Sequence, residues 1–394
     1  LTSPLPLAVA TNYASMLQPL IVNQTTATPS VISNNQIGGF NLTSSRAKTT
    51  PGENIFLGIY LAGGSANITN NVIGSSTGTG AINILSTSVT SVAGQPTPPV
   101  PAVGIYVKST AAAQSTLTGN TIGGIAFTFS APGQANCDRI SFIGILADAG
   151  AGINVNGNTI GNSTAANITS TYTLGNLVGI QNLAGNNVSL FTNNTIQNFQ
   201  HAGNNVASVQ DAAVIGVVER PLTGNNGAEY TGNIISNLSN TNSSGGAVKV
   251  YGMIYAPTAT VNLTYPKFER NWIYNLSTQS NGTTTVVGGM LISGGININL
   301  YNNMISLGST QTQNAILNGI EQTSGGVTAY FNSVRMTGTA SGGASDAIAY
   351  NYNVASGSAF TLRNNLLYND RTGGTGQKFA LRMSMGAIPA YDAT

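Results

Sequence analysis

Charge is what this chain has least of. Only 24 of its 394 residues are Lys, Arg, Asp or Glu, about 6%, against roughly 25% in an ordinary soluble domain. The net charge of +2 is thinly scattered, so there is no basic stripe to neutralise a phosphate backbone, and no nucleic-acid partner is expected. A single cysteine, Cys137, excludes an intrachain disulfide and a cysteine-based metal cluster. No apolar run approaches the ~20 residues that span a bilayer. The longest candidates, such as Val286 to Ile292, are broken by Gly, so no membrane span is expected. Residue 1 is Leu, and the first residues lack the basic and apolar regions of a signal peptide. That fits a processed, secreted chain.

Neutral polar residues take the place of charge. Gly and Asn contribute 48 residues each and Ser plus Thr 82, together about 45% of the chain. Hydrophobic residues still reach 41%, enough for a core, so the low charge is not the signature of disorder.

One short pattern recurs ten times: Gly or Asn, then Asn, then any residue, then an aliphatic residue. The Asn positions are Asn35, Asn71, Asn120, Asn158, Asn194, Asn233, Asn271, Asn303, Asn332 and Asn365. Two residues on stand Ile37, Ile73, Ile122, Ile160, Ile196, Ile235, Ile273, Ile305, Val334 and Leu367. Eight of the ten residues preceding the Asn are Gly or Asn, the exceptions being Arg270 and Phe331. Gly and Asn tolerate positive φ, which predicts a sharp left-handed turn between two strands. Alternating pairs upstream, such as Ile153 and Val155 or Ile298 and Leu300, predict a strand. Further upstream sits a second anchor, a small residue followed by an apolar one, from Gly58-Ile59 to Gly319-Ile320 and then Ala347-Ile348. A third element follows the turn in Ile196-Gln-Asn-Phe199, Ile235-Ser-Asn-Leu238 and Ile273-Tyr-Asn-Leu276.

A unit of two or three short strands cannot bury its apolar row alone, but stacked units bury a continuous core. The expected fold is therefore all-β, a parallel β-solenoid of about ten coils with loop insertions on one side. Its Asn side chains should form a ladder about 4.8 Å apart. Residues 1–29 are read as an N-terminal cap or intersubunit segment, 30–383 as the solenoid and 384–394 as a tail or linker. Apolar segments within Leu1 to Val22 and Phe379 to Tyr391 lie outside the repeat.

Chemistry is sparse. The acids are Asp138, Asp148, Asp211, Asp346, Asp370, Asp392, Glu53, Glu219, Glu229, Glu269 and Glu321, none of them sequence neighbours. Glu229 and Glu269 lie on adjacent coils but four and two residues before their turn Asn, so they should not stack directly. The lone histidine, His201, reads as part of a solvated polar insertion after Phe199. Cys137, between Asn136 and Asp138, reads as an inert thiol. Zinc and EF-hand spacings are missing. No catalytic, cofactor-binding or metal-binding residue is assigned. Twelve Asn-x-Ser/Thr sequons, among them Asn67, Asn167, Asn237, Asn262 and Asn275, are close to the number composition gives by chance. Tyr60, Tyr106, Tyr255 and Tyr330 are candidate sugar-stacking rings set against an ordinary packing role.

The architecture resembles that of the pectin lyase and polygalacturonase families, but the Asn-Thr-Asp, Asp-Asp, His-Gly and Arg-Ile-Lys motifs of the latter are absent. The stretch from Phe331, reading FNSVRMTGTASGG and then TLRNNLLYNDRTGGTGQKFAL to Leu381, is similar to repeats in large secreted β-helix proteins of Bacteroidetes and related phyla, many of them exported by type IX secretion. The resemblance implies a right-handed helix and an extracellular or cell-surface location. The resulting expectation is a non-enzymatic structural or adhesive protein that needs no cofactor. It would associate with itself through the chain ends and meet glycans or cell-surface material. Polysaccharide binding or cleavage is the alternative.

Overall fold

Ten times the chain passes from a strand of one sheet to a strand of the next through an Asn-containing pair, and these pairs, from Asn34-Asn35 to Asn364-Asn365, set the geometry of everything else. A computed structural model describes residues 7–9, 17–23, 28–44, 54–86, 100–108, 113–129, 140–148, 150, 152–172, 175–184, 188–203, 212–221, 227–243, 246–257, 266–354 and 358–385. Each coil runs through three strands that belong to three separate sheets. The first sheet has 11 strands, the second 10, and the third, which follows the two-residue turn, has 15 because its early passes are broken in two. Every strand pair is parallel and joins one coil to the next, giving a right-handed parallel β-helix.

The first residue of each of these ten turns is left-handed. Its φ lies between 53° and 67° in all ten, including Arg270 and Phe331, which have no intrinsic preference for that region. The second residue is the ladder Asn. From Asn35 to Asn332, its backbone N–H and its Nδ2 both donate to Oδ1 of the next Asn along the helix. In the Asn158 to Asn194 step those distances are both 3.0 Å. From Asn71 onward, Nδ2 also holds a carbonyl of the preceding coil, as Asn194 does with Val155 at 2.9 Å. One side chain thus satisfies two buried backbone groups, an N–H and a carbonyl, that a sharp corner would leave unpaired.

The aliphatic residue two positions on points inward, and Ile37 through Val334 stack in register as one buried column, with Leu367 at its end only partly covered. Phe191, Tyr230 and Phe268 stack beside it nearly coplanar, 4.6 and 5.2 Å apart. In the third sheet the Ile-x-Asn-apolar element keeps both apolar residues inside because Asn198, Asn237 and Asn275 take positive φ and reset the alternation.

The glycine anchors line the first sheet. A Cβ at any of Gly58, Gly104, Gly144, Gly179, Gly216, Gly252, Gly289 or Gly319 would lie 2.4–2.7 Å from the carbonyl oxygen of its neighbour on the next coil. The last anchor differs from the sequence expectation. Gly319 faces Ala349 and Ile320 pairs with Tyr350, so the column continues through Ala349-Tyr350, not Ala347-Ile348.

Strands at Leu7–Val9, Leu20–Asn23 and Ser30–Ser33 begin the third, first and second sheets within the segment that departs from the repeat. Phe379 to Tyr391 opens as the strand Lys378–Met385, in which Leu381 and Met383 follow the inner rows of Tyr350 and Tyr352. Residues 386–394 lie outside the described residues.

Replacing Asn194 by Leu takes the acceptor from the backbone N–H of Asn158 and the side-chain donor from the carbonyl of Val155, and leaves Asn158 Nδ2 with only its carbonyl bonds. The expected loss is about 3 kcal/mol or more in chemical denaturation. Phe331→Asn relieves a left-handed aromatic residue and should raise stability by about 1 kcal/mol in the same assay.

Candidate site on the outer face of the first sheet

Register in the first sheet aligns one outward column from coil to coil: Tyr60, Tyr106, Leu146, Gln181, Val218, Ile254, Leu291, Glu321, Asn351 and Arg382. The middle of this face is apolar and buried, with Val103, Ile215 and Ile254 in a second hydrophobic cluster separate from the helix interior. Polar chemistry gathers at the two ends.

At the later end, the Tyr251 phenol donates to Glu321 Oε2 at 3.2 Å. The Tyr251 ring lies over Gly288, where a Cβ would come 2.2 Å from the ring. Arg382 Nε donates to Asn351 Oδ1 at 3.2 Å, and its Nη1 holds Asp346 Oδ2 at 2.6 Å. Asn351 in turn reaches Asn318 at 3.4 Å. Burial pushes the Glu321 carboxyl above the usual carboxylate range, while hydrogen bonds from Asn318 and Tyr251 and the charges of Lys249 and Arg382 pull it back. Asp346 pairs directly with the Arg382 guanidinium, and Glu321 feels the same charge only from a distance. Glu321, Asp346 and Arg382 remain partly exposed. A carboxyl biased toward its protonated form, beside a phenol and a cation, can donate or accept a proton on a bound molecule.

At the earlier end, Tyr60 and Tyr106 stack with centroids 5.1 Å apart. The Tyr106 phenol lies 3.4 Å from Asp148 Oδ2, and burial raises that carboxyl against the lowering effect of Lys108 and the phenol. Six strand spacings, roughly 29 Å, separate Tyr106 from Glu321.

The other sequence candidates fall elsewhere. Glu229 and Glu269 do not stack: each contacts Lys267, at 3.5 and 3.0 Å, and the lysine separates the two acids. Tyr255 is interior, edge-on to Phe268 at 6.0 Å, so it offers no surface ring. Tyr330 stacks on Tyr301 on the outside of the second sheet. Glu219 is buried within the helix on Asn182 and Tyr230. Among the sequons, Asn167 is buried, with its Oδ1 accepting from Gly124 and Asn162. Cys137 lies outside the described residues.

His201 is not in a solvated loop. It ends the strand Thr195–His201 with its side chain fully buried. Its Nδ1 accepts from the Gly203 N–H at 2.9 Å, and its Nε2 has no partner. Among the described residues no three His, Cys, Asp or Glu side chains converge as a metal site, and no helix is long and apolar enough to cross a membrane.

A parallel β-helix carrying a Tyr–carboxyl–Arg cluster on one outer face is the class that these features define. No protein-family model matches the chain, and no curated protein matches it. Two solved structures from Azotobacter vinelandii align with it distantly, over most of its length. The mannuronan C-5 epimerase AlgE4 A-module is 12% identical at a TM-score of 0.25, over 93% of this chain and 91% of that one. The AlgE6 A-module is 13% identical at 0.23, over 85% and 91%. At those scores the likeness transfers no residue and no activity. Both neighbours are enzyme modules, which stands against the expectation of a non-enzyme. The scarcity of acids on which it rested also fails as an exclusion, because the fold brings Glu321, Asp346 and Arg382 together from three coils.

Burial lowers the His201 pKa to about 4 from an ordinary 6.5. The folded state therefore disfavours protonation. The contribution is complete above pH 6.5, declines as the unfolded chain protonates below it, and is lost by about pH 4, at most about 3 kcal/mol. Denaturation at stepped pH should show a steeper fall for the native chain than for His201→Gln across that window.

Proposed function

We propose that this β-helix works outside the cell as a polysaccharide-binding protein, holding an acidic chain at Glu321 and Arg382, with the buried Tyr251 behind Glu321. The carrying observation is the Glu321 carboxyl, which accepts from the Tyr251 phenol and is biased toward its neutral form by burial, with the Arg382 guanidinium nearby. Once protonated it donates to a uronate carboxylate, while Arg382 and Lys249 supply positive charge. The extracellular setting is supported by the resemblance of the later repeats to secreted β-helix proteins. Binding to polygalacturonate or alginate, followed by affinity electrophoresis, should strengthen as pH falls toward 5. Arg382→Ala should weaken it at least tenfold, and Glu321→Gln should flatten the pH dependence. Reducing ends and unsaturated products measured in the same incubations report whether the bound chain is also cut. A native chain whose migration neither polymer alters overturns the reading.

A second reading, head-to-tail association of copies, is favoured by the last coil. Strands Phe360–Arg363, Leu366–Asn369 and Lys378–Met385 close their sheets with no further strand among the described residues. Leu362, Leu367, Leu381 and Met383 there are only partly buried. Strand addition by a second copy would cover both the open ladder and the open core. Native chains should sediment as oligomers that dissociate on Leu381→Lys. Monomers at high concentration, unchanged by deletion of residues 1–22, would remove the support.

A further inference from the structure

The third sheet contains a step that the repeat does not require. Strands Ile234–Asn240 and Trp272–Thr278 are seven residues long and pair to their ends, Ser239 with Ser277 and Asn240 with Thr278. The next strand, Met304–Leu307, is only four residues long and pairs only with Trp272 to Tyr274. Beyond it the chain turns away at Gly308, whose φ is 97°. The far end of the Trp272–Thr278 strand therefore overhangs a notch of about 350 Å³, within the range of small-ligand sites.

The floor of the notch is built. The buried side chain of Gln311 replaces the missing strand, its Oε1 accepting from the Thr278 N–H at 2.7 Å. The Gln311 carbonyl is held by Arg371 Nη2 at 2.8 Å, and Arg371 Nη1 holds the carbonyls of Gly308 and Thr337. This buried arginine spans the gap left by the shortened strand.

The walls carry Ser243, Ser277, Gln279, Asn281, Thr312 and Gln313, all hydroxyl or amide and none charged. Such groups both donate and accept, which matches the hydroxyls of a sugar and supplies no opposite charge to an anion. On the outer face of the same strand, three residues from Ser277 and so roughly 10 Å away, lies Tyr274. Its ring is 4.4 Å from that of Trp272, which is 43% exposed. Trp272 lies five residues from Ser277, roughly 16 Å along the strand, so an exposed indole there can take the apolar face of one pyranose ring while a sugar further along the same chain occupies the notch.

We propose that this notch and Trp272 form a binding site for a neutral oligosaccharide. It is separate from the cluster around Glu321, which lies on a different sheet and carries charge.

Trp272 is the only tryptophan in the chain, so its emission reports on this site alone. The full chain is titrated with cellohexaose, mannohexaose, xylohexaose and chitohexaose, with hexagalacturonate as the anionic control. At least one neutral oligosaccharide should change the emission saturably and bind at least tenfold more tightly than the control. The double variant Gln279→Ala/Thr312→Ala alters only exposed wall residues and should raise Kd at least tenfold with an unchanged melting temperature. Glu321→Gln should leave the titration as it is, which separates this site from the one on the first sheet. No response to any of the four neutral ligands, equal binding of the control, or an unaltered Kd in the double variant overturns the proposal.

Discussion

At each two-residue corner a backbone N–H and a side-chain amide from one coil converge on a single Oδ1 of the next, and the same amide reaches back to a carbonyl of the coil before. A corner this tight exposes backbone groups inside a dry wall, and Asn is short enough to meet them while presenting donor and acceptor on one planar group. Because the connection never varies, every later residue of a coil is counted from a fixed origin. The other two corners are free of that constraint. Connections from the first sheet to the second range from two residues, between Ser324 and Val327, to eleven, between Tyr255 and Lys267.

Fixed register turns one-dimensional spacing into surface chemistry. Outward residues of equal rank lie about 4.8 Å apart along the axis, so a column can carry rings at one end and ions at the other without any local motif. Glu321, Asn351 and Arg382 become neighbours in this way although 61 residues separate the first from the last. The same logic allows defects: shortening one strand to Met304–Leu307 opens a notch without disturbing the Ile273 to Ile305 step beside it.

The wall was largely legible in the sequence. The Asn column, its left-handed partners and its aliphatic followers all behave as the pattern implies, even where Arg270 and Phe331 break the composition rule, because neighbouring coils impose the conformation. The glycine anchor was legible until the column changed to Ala349, where a small residue two positions earlier, Ala347, mimics the signal. The outward cluster was not legible. Coil length varies from 29 to 49 residues between turn Asn positions, and the acids gave no local spacing to count. His201 misled for a related reason: polarity in the residues around it suggested solvent, whereas the αL bend at Asn198 returns the strand's end to the interior.

The scarcity of charge follows from the same geometry. In a stacked ladder, an ionised residue at a repeated rank would face its own kind at about 4.8 Å on both sides, a repulsion that exposed water only partly screens. Neutral amides and hydroxyls avoid it and can bond along the column, as Asn83 does with Asn41 and Asn275 with Asn237. Where ions do occur they alternate or interleave: Lys267 sits between Glu229 and Glu269, Arg382 beside Asp346, and Arg335 beside Asp370. The charged positions are therefore departures from the repeat, each needing a partner on a neighbouring coil. That makes them, like the notch beside Thr278 and unlike the repeated Asn turns, a part of the surface where a specific ligand can be distinguished from a structural neighbour.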